Sequence, residues 1–370
     1  MSNKAVVCNA SYEDGERLEG IVADLFDAFG FDVQDRSVLI KPNILGPFEM
    51  ERGITTHPAV VAAVVAEVQR RGGRAMVGDN PGIYGAGANL RCAMACGIHE
   101  ACADVFVNLS ERPVAVETPS KYTDRFMTSE QILEADLVIS LAKFKTHVLT
   151  VLTGAVKNTY GYLVGGQKAA LHSAARSNEE FHEAVVDVYG IRPPDLAIID
   201  GIVAMEGMGP SSDKLRDAGK LIGSDNCVVA DAVMARMMGV PPQGIPQLNV
   251  AAERGLGEND PRAIDVDGDF EVLPRFRMPA HIFRGRLATM LGRMYTGVFV
   301  KRPVLRQEKC AQCGLCVEAC PVDAISLDPY PVFDREKCFA CFCCQEYCKH
   351  NAIEVARRFR PLRSLQRRRT

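Results

Sequence analysis

Nine of the chain's fourteen cysteines fall between Cys310 and Cys348. They spell one motif twice: Cys310-x2-Cys313-x2-Cys316-x3-Cys320 returns 28 residues later as Cys338-x2-Cys341-x2-Cys344-x3-Cys348. A [4Fe–4S] cube needs four converging thiolates, and C-x2-C-x2-C wraps three of them around one site in a tight loop. In two-cluster modules the last cysteine of each motif ligates the other cluster. The expected sets are therefore Cys310, Cys313, Cys316, Cys348 and Cys338, Cys341, Cys344, Cys320, holding two [4Fe–4S] clusters. Such crossing lets about 50 residues fold with little apolar core. Zinc would instead call for C-x2-C pairs with longer spacers. Pro321 follows the first motif, Lys349 stands at the matching place in the second, and Cys343 is an extra thiol beside Cys344.

A cluster with thiolate on every corner offers no open iron, so any further chemistry is expected elsewhere. The other polar groups fall in bunches: Lys41-Pro42-Asn43, Asp79-Asn80, Lys143 with Lys145-Thr146-His147, Lys157-Asn158, and Asp200-Gly201. Four lysines around one cleft would suit an anionic substrate or cofactor, such as a carboxylate or phosphate, by focusing local potential. In that reading Lys41, Lys143, Lys145 and Lys157 bind charge, Asn43 and Asn158 orient the ligand, and His147 supplies protons. Asp79, Asp200, Glu206, Asp225 and Asp231 could instead pair with the lysines or help hold Mg²⁺ with a phosphate. His57 before Pro58 has helix capping as its plain explanation.

The elements that must position these groups read as an α/β fold. Continuous apolar runs at 36–41, 74–79, 136–141 and 195–200 suit strands covered on both faces of a mostly parallel sheet. Helical patterns lie at about 15–29, 58–72, 179–189 and 226–238. Each of these four strands then ends in a polar bunch, at the carboxyl rim where open α/β sheets bind ligands, and Lys157-Asn158 comes soon after the third. The organisation is an α/β domain at 1–273, a basic connector with an amphipathic helix at 274–304, a small α+β ferredoxin-like module at 305–356, and a basic tail at 357–370.

The net charge of −3 conceals a pattern: residues 272–307 carry +8, 308–356 carry −4, 357–370 carry +7, and 1–271 carry −14. The basic stretches suit a fold-back onto acidic parts of the chain, or contact with a redox partner protein or the surface of a membrane. No apolar run approaches the ~20 residues of a transmembrane helix, and MSNKAVVCNA lacks a signal pattern, so a cytoplasmic protein is expected. Neither GAGANL nor LVGGQK is a dinucleotide fingerprint, and nothing suggests nucleic-acid binding.

KPN (41–43), TTHP (55–58), KFKTH…TGAVKNTYG (143–161), the His172 segment, IIDGIVAMEGMGP (198–210) and SDNCVVADAV resemble the family called domain of unknown function 362, or DUF362. That family is often joined to a ferredoxin module. The resemblance spans about 36–240 and implies an α/β iron–sulfur protein whose KPN, KTH, KN and GP motifs face a common site. Cys92, Cys96 and Cys102 stand outside the resemblance; they read as small apolar residues of a packed helix, with a third metal site as the alternative. The expectation is a redox protein passing single electrons to an anionic ligand at the rim. The alternatives are an electron-transfer subunit docked on a partner enzyme, or a cofactor-maturation or ligand-binding protein with structural clusters.

Overall fold

The computed structural model describes all residues except 1–2, 82–87, 176, 280–298, 319, 321, 339–341, 347 and 360–370. Its main sheet runs in the order Asp265–Gly268, Lys4–Asn9, Lys214–Ser224, Leu196–Glu206, Leu137–His147, Ser37–Pro42 and Arg74–Val77, with the short strand Val151–Leu152 on the end of Leu137–His147. Pairing is parallel from Leu196–Glu206 outward to Arg74–Val77, as continuous apolar strands require. Lys214–Ser224 is inserted antiparallel between Leu196–Glu206 and Lys4–Asn9, so the sheet is mixed but mostly parallel.

Both faces are covered. Leu39, Val138, Ala142, Ala197 and Ile199 point to one core, shared with helices Asn178–Tyr189, Cys227–Met237 and Pro246–Glu253. Val38, Ile40, Ile139, Leu141 and Ile198 point to the other, shared with Gly15–Ala28 and Pro58–Arg70. This period-two division is what the strand geometry dictates.

Two strands outrun their sequence signal. Leu137–His147 and Leu196–Glu206 are each 11 residues long, with a register shift between Lys143 and Lys145. Lys143, Lys145, Thr146 and His147 are therefore strand residues, not the loop after one. Charged residues continue the strand because each finds a buried partner, described below.

The cysteine-rich region is built from two pairs of short antiparallel strands. Phe299–Leu305 pairs with Ile353–Phe359, and Ile325–Asp328 with Tyr330–Phe333. The module thus takes in 299–304, which the sequence had allotted to the connector, while Phe276 and Met278 at the connector's start pack in the main core. The amphipathic helix expected within 280–298, and most of the basic tail, lie outside the described residues.

Candidate functional site

The strand ends meet, but the lysines do not share one cleft. Alternation sends Lys41, two residues after Leu39, to one face of the sheet, and Lys143, two after Leu141, to the other.

On the first face Lys41 is buried and pairs with Asp79 at 2.7 Å. Its Nζ also donates to Asn158 Oδ1 at 3.0 Å, and Asn158 Nδ2 returns a bond to Lys41 O. Asp79 Oδ2 accepts from Ile44 N at 2.7 Å. Burial pushes the Lys41 ammonium below its usual range; Asp79 opposes that and Lys157 adds to it. Gly161 seals the group, because a Cβ there would overlap Asp79 Oδ1 and lie 2.6 Å from Lys41 Nζ.

On the second face Lys143 Nζ meets Asp200 Oδ2 at 2.8 Å and Tyr12 Oη at 2.9 Å. Tyr12 donates to Asp200 Oδ1 at 2.7 Å, and the His57 backbone N–H donates to Oδ2 at 2.9 Å. The His57 ring stacks on Tyr12 with centroids 3.7 Å apart, and its Nδ1 caps the helix by accepting from Ala59 N. Burial holds His57 below the usual histidine value against the pull of Asp200. Lys145 Nζ donates to Asn43 Oδ1 at 2.6 Å and Ile54 O at 2.8 Å.

The motifs are thus locked to one another. The KPN lysine bonds the KN asparagine, the KPN asparagine bonds the KTH lysine, and Thr56 of TTHP donates to Leu141 O and accepts from Asn43 N. The GP segment closes the end: Gly209 has no room for a Cβ over Thr146, and its carbonyl accepts from Val148 N at 2.9 Å. Lys41, Lys143 and Lys145 are each about 1% exposed, and Lys41 and Lys143 spend their charge on the buried Asp79 and Asp200.

His147 is also buried, and its Nδ1 accepts from Leu149 N and Thr150 N, which turns the ring to the chain's own turn. Lys157 is half-buried, with its ammonium 5.6 Å from the Tyr160 ring centre. Sequence reasoning passed over two groups. Lys168, at the start of helix Gln167–Ala174, donates to Asn80 O, and burial pushes it down to about 8 with Asp79 and Lys41 nearby. Tyr12 lies in a loop without a motif. Neither carries a spacing signal that could have marked it. Asp231, weighed as a lysine partner, accepts instead from Ala155 N and Val156 N, and burial raises it to about 7.

In the module, Cys310, Cys313, Cys316 and Cys348 line one cavity together with His350 and Ile353. Burial, and then the neighbouring Cys348, Cys313 and Cys310, push the Cys316 thiol up to about 11. Four cysteines lining one pocket are the donor set that an iron–sulfur cube takes. Cys320 accepts from Ala324 N at 3.1 Å, and Cys348 from Ala352 N at 3.2 Å, the N–H···S bonds that steady a cluster's thiolates. Of the other expected set, Cys338, Cys344 and Cys320 are described and Cys341 lies outside the described residues. The 28-residue repeat extends to the backbone: left-handed Gly314 and Asp323 recur as left-handed Phe342 and Asn351, and helix Leu315–Glu318 as Cys343–Glu346.

The second motif is docked on the α/β domain. Phe342 is buried in the main core, and Gln345 Nε2 donates to Met208 O at 3.3 Å. Arg52 donates to Lys349 O, and Asn351, with its amide nitrogen toward Ser211 O, donates there at 2.7 Å. Burial pushes the Cys92 thiol up to about 12, while the charge of Lys349 eases it down. Cys96 and Cys102 donate to helix carbonyls, as packed core thiols do.

Residues 38–236 match the family described as Domain of unknown function (DUF362), and residues 303–326 match the 4Fe-4S binding domain. The Thylakoid-associated protein sll1697 of Synechocystis sp. (strain ATCC 27184 / PCC 6803 / Kazusa) is 31% identical over 311 residues, 80% of this chain and 94% of that protein. Among solved structures, the lactate racemase apoprotein from Thermoanaerobacterium thermosaccharolyticum aligns at 12% identity and a TM-score of 0.38, covering 62% of this chain and 56% of that one. That likeness is too slight to inform the chemistry. Among the described residues no helix is long and apolar enough to cross a membrane.

Proposed function

This chain belongs to the DUF362 family and carries a 4Fe-4S binding domain, and from that premise we propose that it holds two [4Fe–4S] clusters and passes electrons to a ligand at the strand ends of its own α/β domain. When bound, each cluster supplies one-electron storage. The observation that carries the reading is the docking of the second cysteine motif on Met208, three residues beyond Met205, the cross-strand neighbour of Lys145. A module serving only an outside partner has no need to present its second motif to that end of the sheet.

Lys41, Lys143, Lys145, Asn43, Asn158, Asp79 and Asp200 form the rigid frame of the site in this proposal, and His147 supports its edge. An anionic ligand falls to Lys157, which is half-buried, and to Lys168, whose burial leaves it able to exchange a proton near neutral pH. The self-neutralised frame favours a second reading, an electron-transfer subunit that binds no metabolite and docks on a partner redox enzyme. A cytoplasmic setting belongs to the same proposal, and a peripheral membrane contact through the basic connector and tail suits the relative's name.

Native mass spectrometry of anaerobically purified protein tests the proposal. About eight irons with an anionic organic adduct is the expected result. Eight irons without an adduct transfers the case to the second reading, and about four irons refutes the two-cluster count.

A further inference from the structure

The two halves of the repeat have the same backbone but opposite surroundings. Gly314 and Phe342 occupy matching left-handed positions. A Cβ on Gly314 would meet nothing within 4 Å, whereas Phe342 is sunk in the core of the α/β domain. Cys313 beside Gly314 is exposed, and so are Ala311 and Gln312; Cys313 and Ala311 line the four-thiol cavity. Charge divides the same way. Residues 308–334 hold five acids against Lys309 alone, a net of −4, while 335–356 hold three acids and three bases. Glu308, Glu318, Asp323, Asp328 and Asp334 are all exposed. Arg306 at the edge of this face is held by Glu354 at 2.9 Å.

We infer that the face around Cys313 is the module's electron port, and that it docks a one-electron redox protein whose own exchange face is basic. The inference rests on the electron-transfer reading above and adds its polarity: electrons cross the outer boundary at the first motif and the inner boundary at the second. Glu308 and Glu318 flank the open loop and steer the partner, and Gly314 keeps the approach clear. One electron leaves the reduced protein for each oxidised partner molecule that becomes reduced, with no proton or bond exchanged.

The probe is cytochrome c, a lysine-rich one-electron protein. Binding is measured by calorimetry with both proteins oxidised, so that no reaction intervenes, and then the rate at which the dithionite-reduced protein, freed of reductant, turns ferric haem ferrous. Both affinity and rate are expected to fall about tenfold or more between about 20 and 300 mM salt, because the attraction is between exposed charges. Glu308→Lys with Glu318→Lys is expected to cut both at least about tenfold at low salt with iron content and visible spectrum unchanged, while Glu336→Lys beside the second motif changes them less than about twofold. If the double variant loses iron, the two single reversals are read separately against the same threshold. Salt-independent binding, or an equal loss with Glu336→Lys, overturns the assignment. None of these readouts needs a substrate, so an empty site in the mass spectrum leaves the port standing, and a failed port leaves the inner route untouched.

Discussion

Truncating Phe342 to alanine tests the docking on which the electron route depends. The side chain is 4% exposed and sits in the main core, although it belongs to the cysteine-rich repeat. A buried Phe→Ala change costs about 3–5 kcal/mol. Both residues carry a Cβ, so the left-handed backbone at φ 63° is equally strained before and after the change. The loss therefore falls on packing, and on the docked state before the α/β fold itself. At about 1.4 kcal/mol per tenfold, the docking equilibrium should weaken by roughly a hundredfold to a few thousandfold. The Gln345 to Met208 bond, worth about 0.5–1.5 kcal/mol, is too weak to make that good. Hydrogen exchange by mass spectrometry should show faster exchange over 205–211 and 342–351, with the strand Leu137–His147 as protected as before. Unchanged exchange at 205–211 would refute the docking argument, and so would a uniform loss of protection across the main sheet.

Three further outcomes follow from the buried network. Lys143→Met leaves Asp200 charged and buried without its cation, and should lower stability in urea by about 3–5 kcal/mol; a loss under about 1 kcal/mol would mean that Lys143 is not a structural ion. Gly161→Ala drives a methyl into the Lys41 and Asp79 pair and should cost at least about 1–3 kcal/mol by thermal denaturation, whereas a neutral change would show that the cradle is loose. Asp231 has its folded-state pKa raised from 3.8 to about 7, so between those values the folded chain keeps a proton that the unfolded chain has shed. Its contribution to stability is complete below about pH 4 and is lost as pH rises through about 7; Asp231→Asn should flatten that part of the stability–pH curve, and an unaltered slope would contradict it.

The parallel half of the sheet was legible because strands covered on both faces have no polar phase to hide, and RSVLIK, DLVISL and DLAIID are almost wholly apolar. Lys214–Ser224 was not, since its first half is exposed and polar and only its last residues enter the core. The cysteine repeat announced itself by spacing alone. The lysine frame was legible as a set of motifs but not as an arrangement, because Lys41 and Asn158 lie 117 residues apart and no local pattern tells which face of the sheet an end residue takes. Lys168 and Tyr12 are joined to the frame by contacts distant in sequence, of the kind only the folded chain displays.

The cavity shared by Cys310, Cys313, Cys316 and Cys348 has a consequence for biosynthesis. Its fourth wall arrives 32 residues after the third thiol, and the stretch that brings it must come to rest on Met208 and Ser211. Domains at the N-terminus fold first as a chain leaves the ribosome. The α/β domain can therefore stand ready as a jig before the last cysteine emerges, and a chain that stops after the first motif has only three of this pocket's four thiols. Metal loading is then a terminal step of maturation, and it falls on a protein whose larger domain is already built.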